Sequence, residues 1–198
     1  MDTTRPSTTA ARSEAPDGHQ LIAAGLEGHG ITHVFAIGGT PIHETLAACL
    51  QRGIRVVGVH HQQAAAMMAA SYNYVTGRLS AAVILSAGPA IANSVTGLLV
   101  AHDNDWPLLV IGGCRPLDMR GRGAFQDLDA VPIVESITRF AARLDHPEAI
   151  AHVSFAGHLA RHACHLLDVV RSARGDVLSV KFLRDAAGGR HGNHVQKS

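Results

Sequence analysis

Two short runs of this chain, Ala81–Leu85 (AAVIL) and Pro107–Ile111 (PLLVI), contain no polar side chain. A strand with one face in water alternates apolar and polar residues. A strand that is apolar at every position must be covered on both faces, as in a parallel sheet sandwiched between helices. Further short apolar runs, at Thr32–Ile37, Ile54–Val59, Ala141–Leu144 and Val177–Phe182, alternate with stretches of helical length at Gly18–His29, Pro41–Gln51, His61–Val75, Ala90–His102 and Pro147–Ser172. This alternation predicts an α/β fold: a doubly wound, mostly parallel six-stranded sheet with helices on both faces. In such sheets ligands meet the loops at the carboxyl ends of the strands. Those loops are Gly38–Pro41, His60–Gln63, Ser86–Pro89 and Gly112–Arg115.

At 198 residues and 46% hydrophobic content, one core can form. The chain divides into a flexible N-terminal segment (1–17), one folded domain (18–185) and a flexible, Gly-rich tail (186–198). Lys and Arg number 17 against 16 Asp and Glu, a formal charge of +1, so no nucleic acid or anionic membrane partner is expected. No apolar run is long enough to span a bilayer, and the polar N-terminus lacks the apolar stretch of a secretory signal, so the expected address is cytoplasmic.

Three cysteines, Cys49, Cys114 and Cys164, are widely spaced without a CxxC pair and read as buried thiols. Histidine is abundant, at 14 residues, and His158, His162 and His165 would share one stripe of the expected C-terminal helix. No carboxylate or thiol accompanies them at ligand spacing, so no metal site is expected in this chain. The turn after the first strand, IGGTPIHE, is neither a GxGxxG dinucleotide fingerprint nor a P-loop. Asp103 and Asp105 fall in a helix-to-strand connection and suit a solvated turn; Glu44 at a helix start suits the helix dipole.

The longer stretch HHQQAAAMMAASYNYVTG, followed by LSAGPAIANSVTGLLVAHDNDWPLLVIGG, is far more specific. Its residues His61, Gln63, Ala65, Ala66, Met68, Ala69, Tyr72, Thr76, Gly77, Gly88, Pro89, Asn93, Thr96, Gly97 and Pro107 stand in the order and spacing of a known pattern, and GAFQDLD at 123–129 adds a further segment. Over 18–185 the chain resembles the pyrimidine-binding, N-terminal domain of thiamine-diphosphate enzymes of the acetolactate synthase, oxalyl-CoA decarboxylase and benzaldehyde lyase group. The Gly-Thr-Pro-Ile turn at 39–42 leans toward the oxalyl-CoA decarboxylase branch. The resemblance implies thiamine diphosphate as cofactor, with Gln62, Pro89 and Asn93 at its aminopyrimidine, Gly39, Phe125 and Gln126 facing substrate, and Gln62 and His61 as the candidate catalytic residues. Bland readings exist for several of these: a turn for Gly39, a core aromatic for Phe125 and a surface amide for Gln126.

Two departures from the family pattern shape the expected function. The family's diphosphate-binding domain, marked by Gly-Asp-Gly and a downstream Asn-Asn, has no counterpart here, since Gly175-Asp176 runs straight into VLSVKFL. The resemblance therefore implies a separate subunit that binds diphosphate through Mg²⁺, in an α₂β₂ assembly. The second departure is Gln62, at the position of the family's glutamate. That glutamate passes a proton to N1′ of the aminopyrimidine, and a carboxamide can hydrogen-bond N1′ without handing over a proton. Losing a general acid or base costs about 10²–10⁴ in rate, yet glyoxylate carboligases of this family work with an apolar residue there. Three readings stay open: a site that acts without strong N1′ activation, a proton supplied by His60 or His61, or a catalytically degenerate subunit that regulates or assembles a homologous enzyme. The expected function is the first, a split enzyme that decarboxylates a 2-oxo acid or makes or breaks a C–C bond next to a carbonyl.

Overall fold

The computed structural model describes residues 17–145 and 164–170, the latter as backbone. The chain alternates helix and strand: α1 (Gly18–Gly28), β1 (His33–Ala36), α2 (His43–Gln51), β2 (Arg55–Gly58), α3 (Gln62–Thr76), β3 (Ala81–Leu85), α4 (Pro89–Ala92), α5 (Val95–Asp103), β4 (Leu108–Cys114), α6 (Val131–Val134), β5 (Phe140–Leu144) and β6 (Cys164–Val170). The strands form a six-stranded sheet in the order β2-β1-β3-β4-β6-β5. Every neighbouring pair is parallel, with Val34 beside Val56 and Ala82, and Ile84 beside Ile111. The expected α/β sheet is therefore observed, with helices on both faces.

The apolar runs are explained by two cores. Ala82 and Ile84 of β3 with Leu109 and Ile111 of β4 point into a layer shared with Ile22 and Leu26 of α1 and Cys49 of α2. Their neighbours Ala81, Val83, Leu85, Leu108 and Val110 point the other way, against Ala65, Ala69 and Ala70 of α3 and Leu98 of α5. Strands β3 and β4 are buried at every position, whereas edge strand β2 is exposed at both ends. Removing a Leu or Ile side chain of this kind from water contributes about 1.5–3 kcal/mol.

Three sequence expectations change. Asp17 was placed in the flexible N-terminal segment; it is the N-cap of α1, its Oδ1 accepting from the Gln20 N–H at 2.8 Å. The helix expected over Ala90–His102 is two helices, because the Ser94 hydroxyl donates to the Ile91 carbonyl at 2.7 Å while the Ser94 N–H bonds the same carbonyl at 2.9 Å. This side-chain competition with the helical ladder turns the chain before α5 begins. The helix expected over Pro147–Ser172 does not hold at its end, since Cys164–Val170 is β6, inserted between β4 and β5. A seven-residue, largely apolar run suits either state locally, and parallel pairing on two sides decides for strand. His165 consequently lies on a strand, and the helical stripe with His158 and His162 is lost at that residue. His158, His162, the expected strand Val177–Phe182 and the expected tail 186–198 lie outside the described residues.

Among the described residues no helix is long and apolar enough to cross a membrane. Cys49 and Cys114 are buried, as expected.

Candidate functional site

Gln62 opens α3 immediately after the loop that leaves β2. His61 is the N-cap: its backbone is extended and its Nδ1 accepts from the Gln63 N–H at 3.2 Å. The capping bond fixes the tautomer, because an accepting Nδ1 leaves the ring proton on Nε2. His61 thereby anchors the turn that presents Gln62. The Gln62 side chain is half-buried, and its Oε1 accepts from Asn93 Nδ2 at 3.2 Å. Two of the expected site residues, 31 positions apart in the chain, are thus joined by a hydrogen bond. With its oxygen engaged by Asn93, the Gln62 amide still has two N–H donors to offer an acceptor.

The distance between α3 and α5 is set by Gly97. A methyl group there would come within 2.6 Å of Ala66 Cβ and 2.9 Å of the Gln63 carbonyl oxygen. Only a residue without a side chain allows this approach, which brings the chain around Asn93 up to the start of α3.

The other expected positions meet through loops at the carboxyl ends of β1, β3 and β4. The strand order reverses direction between β1 and β3, the place where open α/β sheets gather ligands. A Cβ on Gly39 would lie 2.4 Å from Ser86 Oγ, so the loops after β1 and β3 touch. A Cβ on Gly113 would lie 2.9 Å from Pro41 Cγ, which ties the end of β4 to the same turn. Gly88, at φ 58° and ψ −111°, precedes Pro89, which starts α4 and is exposed. A side chain on Gly88 would lie 2.7 Å from the backbone oxygen of Gln126, itself at φ 61°. Gly39 and Gln126 therefore pack on the Ser86–Pro89 loop, and the Asn93 N–H donates to the Pro89 carbonyl at 2.9 Å, so the loop leads through Asn93 to Gln62. Phe125 is not a core aromatic: it is 78% exposed, and the Arg115 guanidinium carbon lies 5.7 Å from its ring centroid.

Ser86 and Arg115 carry no motif of their own and were legible only as members of strand-end loops. Among the described residues no three His, Cys, Asp or Glu side chains converge as a metal-holding group. Asp105, expected in a solvated turn, is exposed at φ 53° and pairs with Arg139.

Residues 16–133 match the family model for the thiamine pyrophosphate enzyme, N-terminal TPP binding domain. The chain belongs to this family. A probable acetolactate synthase of Mycobacterium bovis is 35% identical over 181 residues, which cover 91% of this chain and 31% of the relative. Human 2-hydroxyacyl-CoA lyase 1 is 36% identical over 148 residues, 74% of this chain and 25% of the relative. The catabolic acetolactate synthase of Raoultella terrigena is 31% identical over 136 residues, 69% of this chain and 24% of the relative. The chain spans at most about a third of the length of these curated relatives. The match confirms the resemblance drawn from the His61–Pro107 motifs, and makes the chain a TPP-binding domain of thiamine-diphosphate enzyme type.

The donor set suits the aminopyrimidine end of that cofactor. Two carboxamides, Gln62 and Asn93, offer both donors and acceptors to a flat heterocycle edge, and neither is a proton donor near neutral pH.

Proposed function

We propose that this chain supplies the aminopyrimidine half of a thiamine-diphosphate site in an enzyme that decarboxylates a 2-oxo acid or makes or breaks a C–C bond next to a carbonyl. The observation that carries this reading is the Asn93–Gln62 hydrogen bond at the strand-end edge, formed by two residues at positions of the family motif. Thiamine diphosphate, when bound, supplies the electron sink that stabilises a carbanion next to the reacting carbonyl. Gln62 would hold N1′ through its amide N–H, with Asn93 fixing the amide's orientation and Pro89 bounding the pocket wall. Gly39 and Gln126 would face the substrate, and His61 acts by capping α3. In this reading the diphosphate and its Mg²⁺ are held outside these residues, by a diphosphate-binding partner subunit in a cytoplasmic α₂β₂ assembly. The names of the relatives, acetolactate synthase and 2-hydroxyacyl-CoA lyase, support bond-making or bond-breaking at a carbon next to a carbonyl.

The test is co-purification with a chain bearing the diphosphate-binding half, followed by titration with thiamine diphosphate and Mg²⁺ and assay of CO₂ release from a panel of 2-oxo acids. Cofactor binding with turnover is the expected result. Cofactor binding without turnover in any pairing supports the second reading, a catalytically degenerate regulatory or assembly subunit, which the carboxamide of Gln62 favours. Absence of binding in every pairing overturns both. Gln62→Glu is expected to raise the rate of exchange of the thiazolium C2 proton by about 10²-fold or more, the scale of a restored general acid. An unchanged exchange rate places Gln62 away from N1′.

A further inference from the structure

Arg115 follows the last residue of β4, at the same strand-end edge as Gly88 and Gly113. It is half-buried, and among the described residues its Nε is buried without a hydrogen-bond partner. Arg120 and Arg143 also each bury a nitrogen without a hydrogen bond, but both face a carboxylate, Arg120 at 3.6 Å from Asp145 and Arg143 at 3.0 Å from Asp129, whereas among the described residues Arg115 faces none. The Arg115 guanidinium instead lies over the ring of Phe125, its carbon 5.7 Å from the centroid. An aromatic face within about 6 Å holds a guanidinium in place without neutralising it, and leaves its terminal Nη–H groups to an oxyanion. The ring is 78% exposed, so this cation and its backing plate stand at the surface.

The placement is built by the same loop that completes the site. Phe125 precedes Gln126, whose carbonyl oxygen is packed against Gly88, and Gly88 leads through Pro89 to Asn93 and Gln62. The loop is closed on itself by Asp127 Oδ2, which accepts from the Gly121 N–H at 2.6 Å. We propose that Arg115, steadied by Phe125, is the anion-recognition group of the site and takes an oxyanion of the substrate, either the carboxylate of a 2-oxo acid or a phosphate of an acyl-CoA. This rests on the functional reading above, which supplies the substrate class; the position of a guanidinium that faces no carboxylate among the described residues supplies the residue.

The test uses the full chain labelled with ¹⁵N-arginine, following the guanidinium Nε–H resonance of Arg115 during titration with pyruvate, with its neutral ester methyl pyruvate, and with coenzyme A. Saturable movement of that resonance is expected with pyruvate or coenzyme A and not with methyl pyruvate. Binding followed on backbone resonances of residues 123–129 should weaken about tenfold in R115Q, the loss of one charge-assisted bidentate pair, and less in R115K, which keeps the charge and loses the fork. R122Q removes an exposed charge from the same β4–α6 connection and should bind as wild type. Weakening confined to pyruvate assigns the carboxylate, and weakening confined to coenzyme A assigns the phosphate. Equal binding by wild type and R115Q, or no saturable movement with either anion, overturns the proposal. A parallel titration with thiamine, read on the Gln62 side-chain amide, separates this outcome from failure of the cofactor reading, because R115Q should leave the thiamine response unchanged.

Discussion

The side chain of Asn73 uses all four of its hydrogen-bonding positions inside the protein. Its Nδ2 donates to the carbonyls of Ala81 and Pro107, each at 2.9 Å, and its Oδ1 accepts from the N–H groups of Ser80 at 2.9 Å and Ala81 at 2.7 Å. These bonds clip α3 to the first residue of β3 and to the residue just before β4. Asn73→Ala would leave buried backbone groups unpaired and is expected to lower the unfolding free energy by about 2–5 kcal/mol in a urea titration. Cys49, buried on α2, has its thiol pushed up from 9.0 to about 11 by burial, with Arg52 pulling the other way. Below pH 9 the thiol is protonated folded or unfolded. Between 9 and 11 the unfolded chain gives up the proton and the folded chain keeps it, so stability falls with rising pH by up to about 3 kcal/mol. Denaturant midpoints of wild type and Cys49→Ala from pH 8 to 11 check this: the wild type alone should show the extra loss. The candidate site was named at this level from its motif residues, His61, Gln62, Pro89 and Asn93. The motif did not reveal that His61 spends its Nδ1 on the helix cap, since a cap is a property of the turn.

Helices α3 and α5 meet along small residues, Ala66 against Gly97, and the alanine-rich run of α3 was readable as a closely packed helix. Gly97→Ala would force the two helices apart by overpacking, at a cost of about 1–3 kcal/mol. It should also lengthen the Asn93–Gln62 contact, so thiamine affinity is expected to fall together with the thermal midpoint; a lower midpoint with unchanged affinity would detach the helix spacing from the site. The break between α4 and α5 was not legible, because a serine in a helical pattern reveals nothing of where its hydroxyl will bond. The β6 segment failed for a related reason: seven residues of CHLLDVV carry no period long enough to separate strand from helix.

Over the described residues, the fold is a sheet whose central strands are covered on both faces and whose strand-end edge carries the candidate site. The edge gathers loops from β1, β2, β3 and β4, while the two cores hold the strands that carry them. In the proposed reading this edge grips only the heterocyclic end of the cofactor. Calorimetry of the chain alone should therefore find thiamine and thiamine diphosphate binding with similar affinity and little response to Mg²⁺, whereas the assembled enzyme should prefer the diphosphate and require the metal. A strong Mg²⁺ dependence in the isolated chain would place the diphosphate on these residues.

Local composition determined the strands of the buried centre, the two-faced core and the strand-end address of the candidate site. Each of these follows from which side chains avoid water and from spacing along one stretch of chain. Tertiary structure alone decided that β6 enters between β4 and β5, that Gln62 meets Asn93, that Gly39 touches Ser86 and that Arg115 stands against Phe125, facing no carboxylate among the described residues. Such contacts depend on strand order and loop path, which are set by burial summed over the whole sheet and leave no period in any single segment.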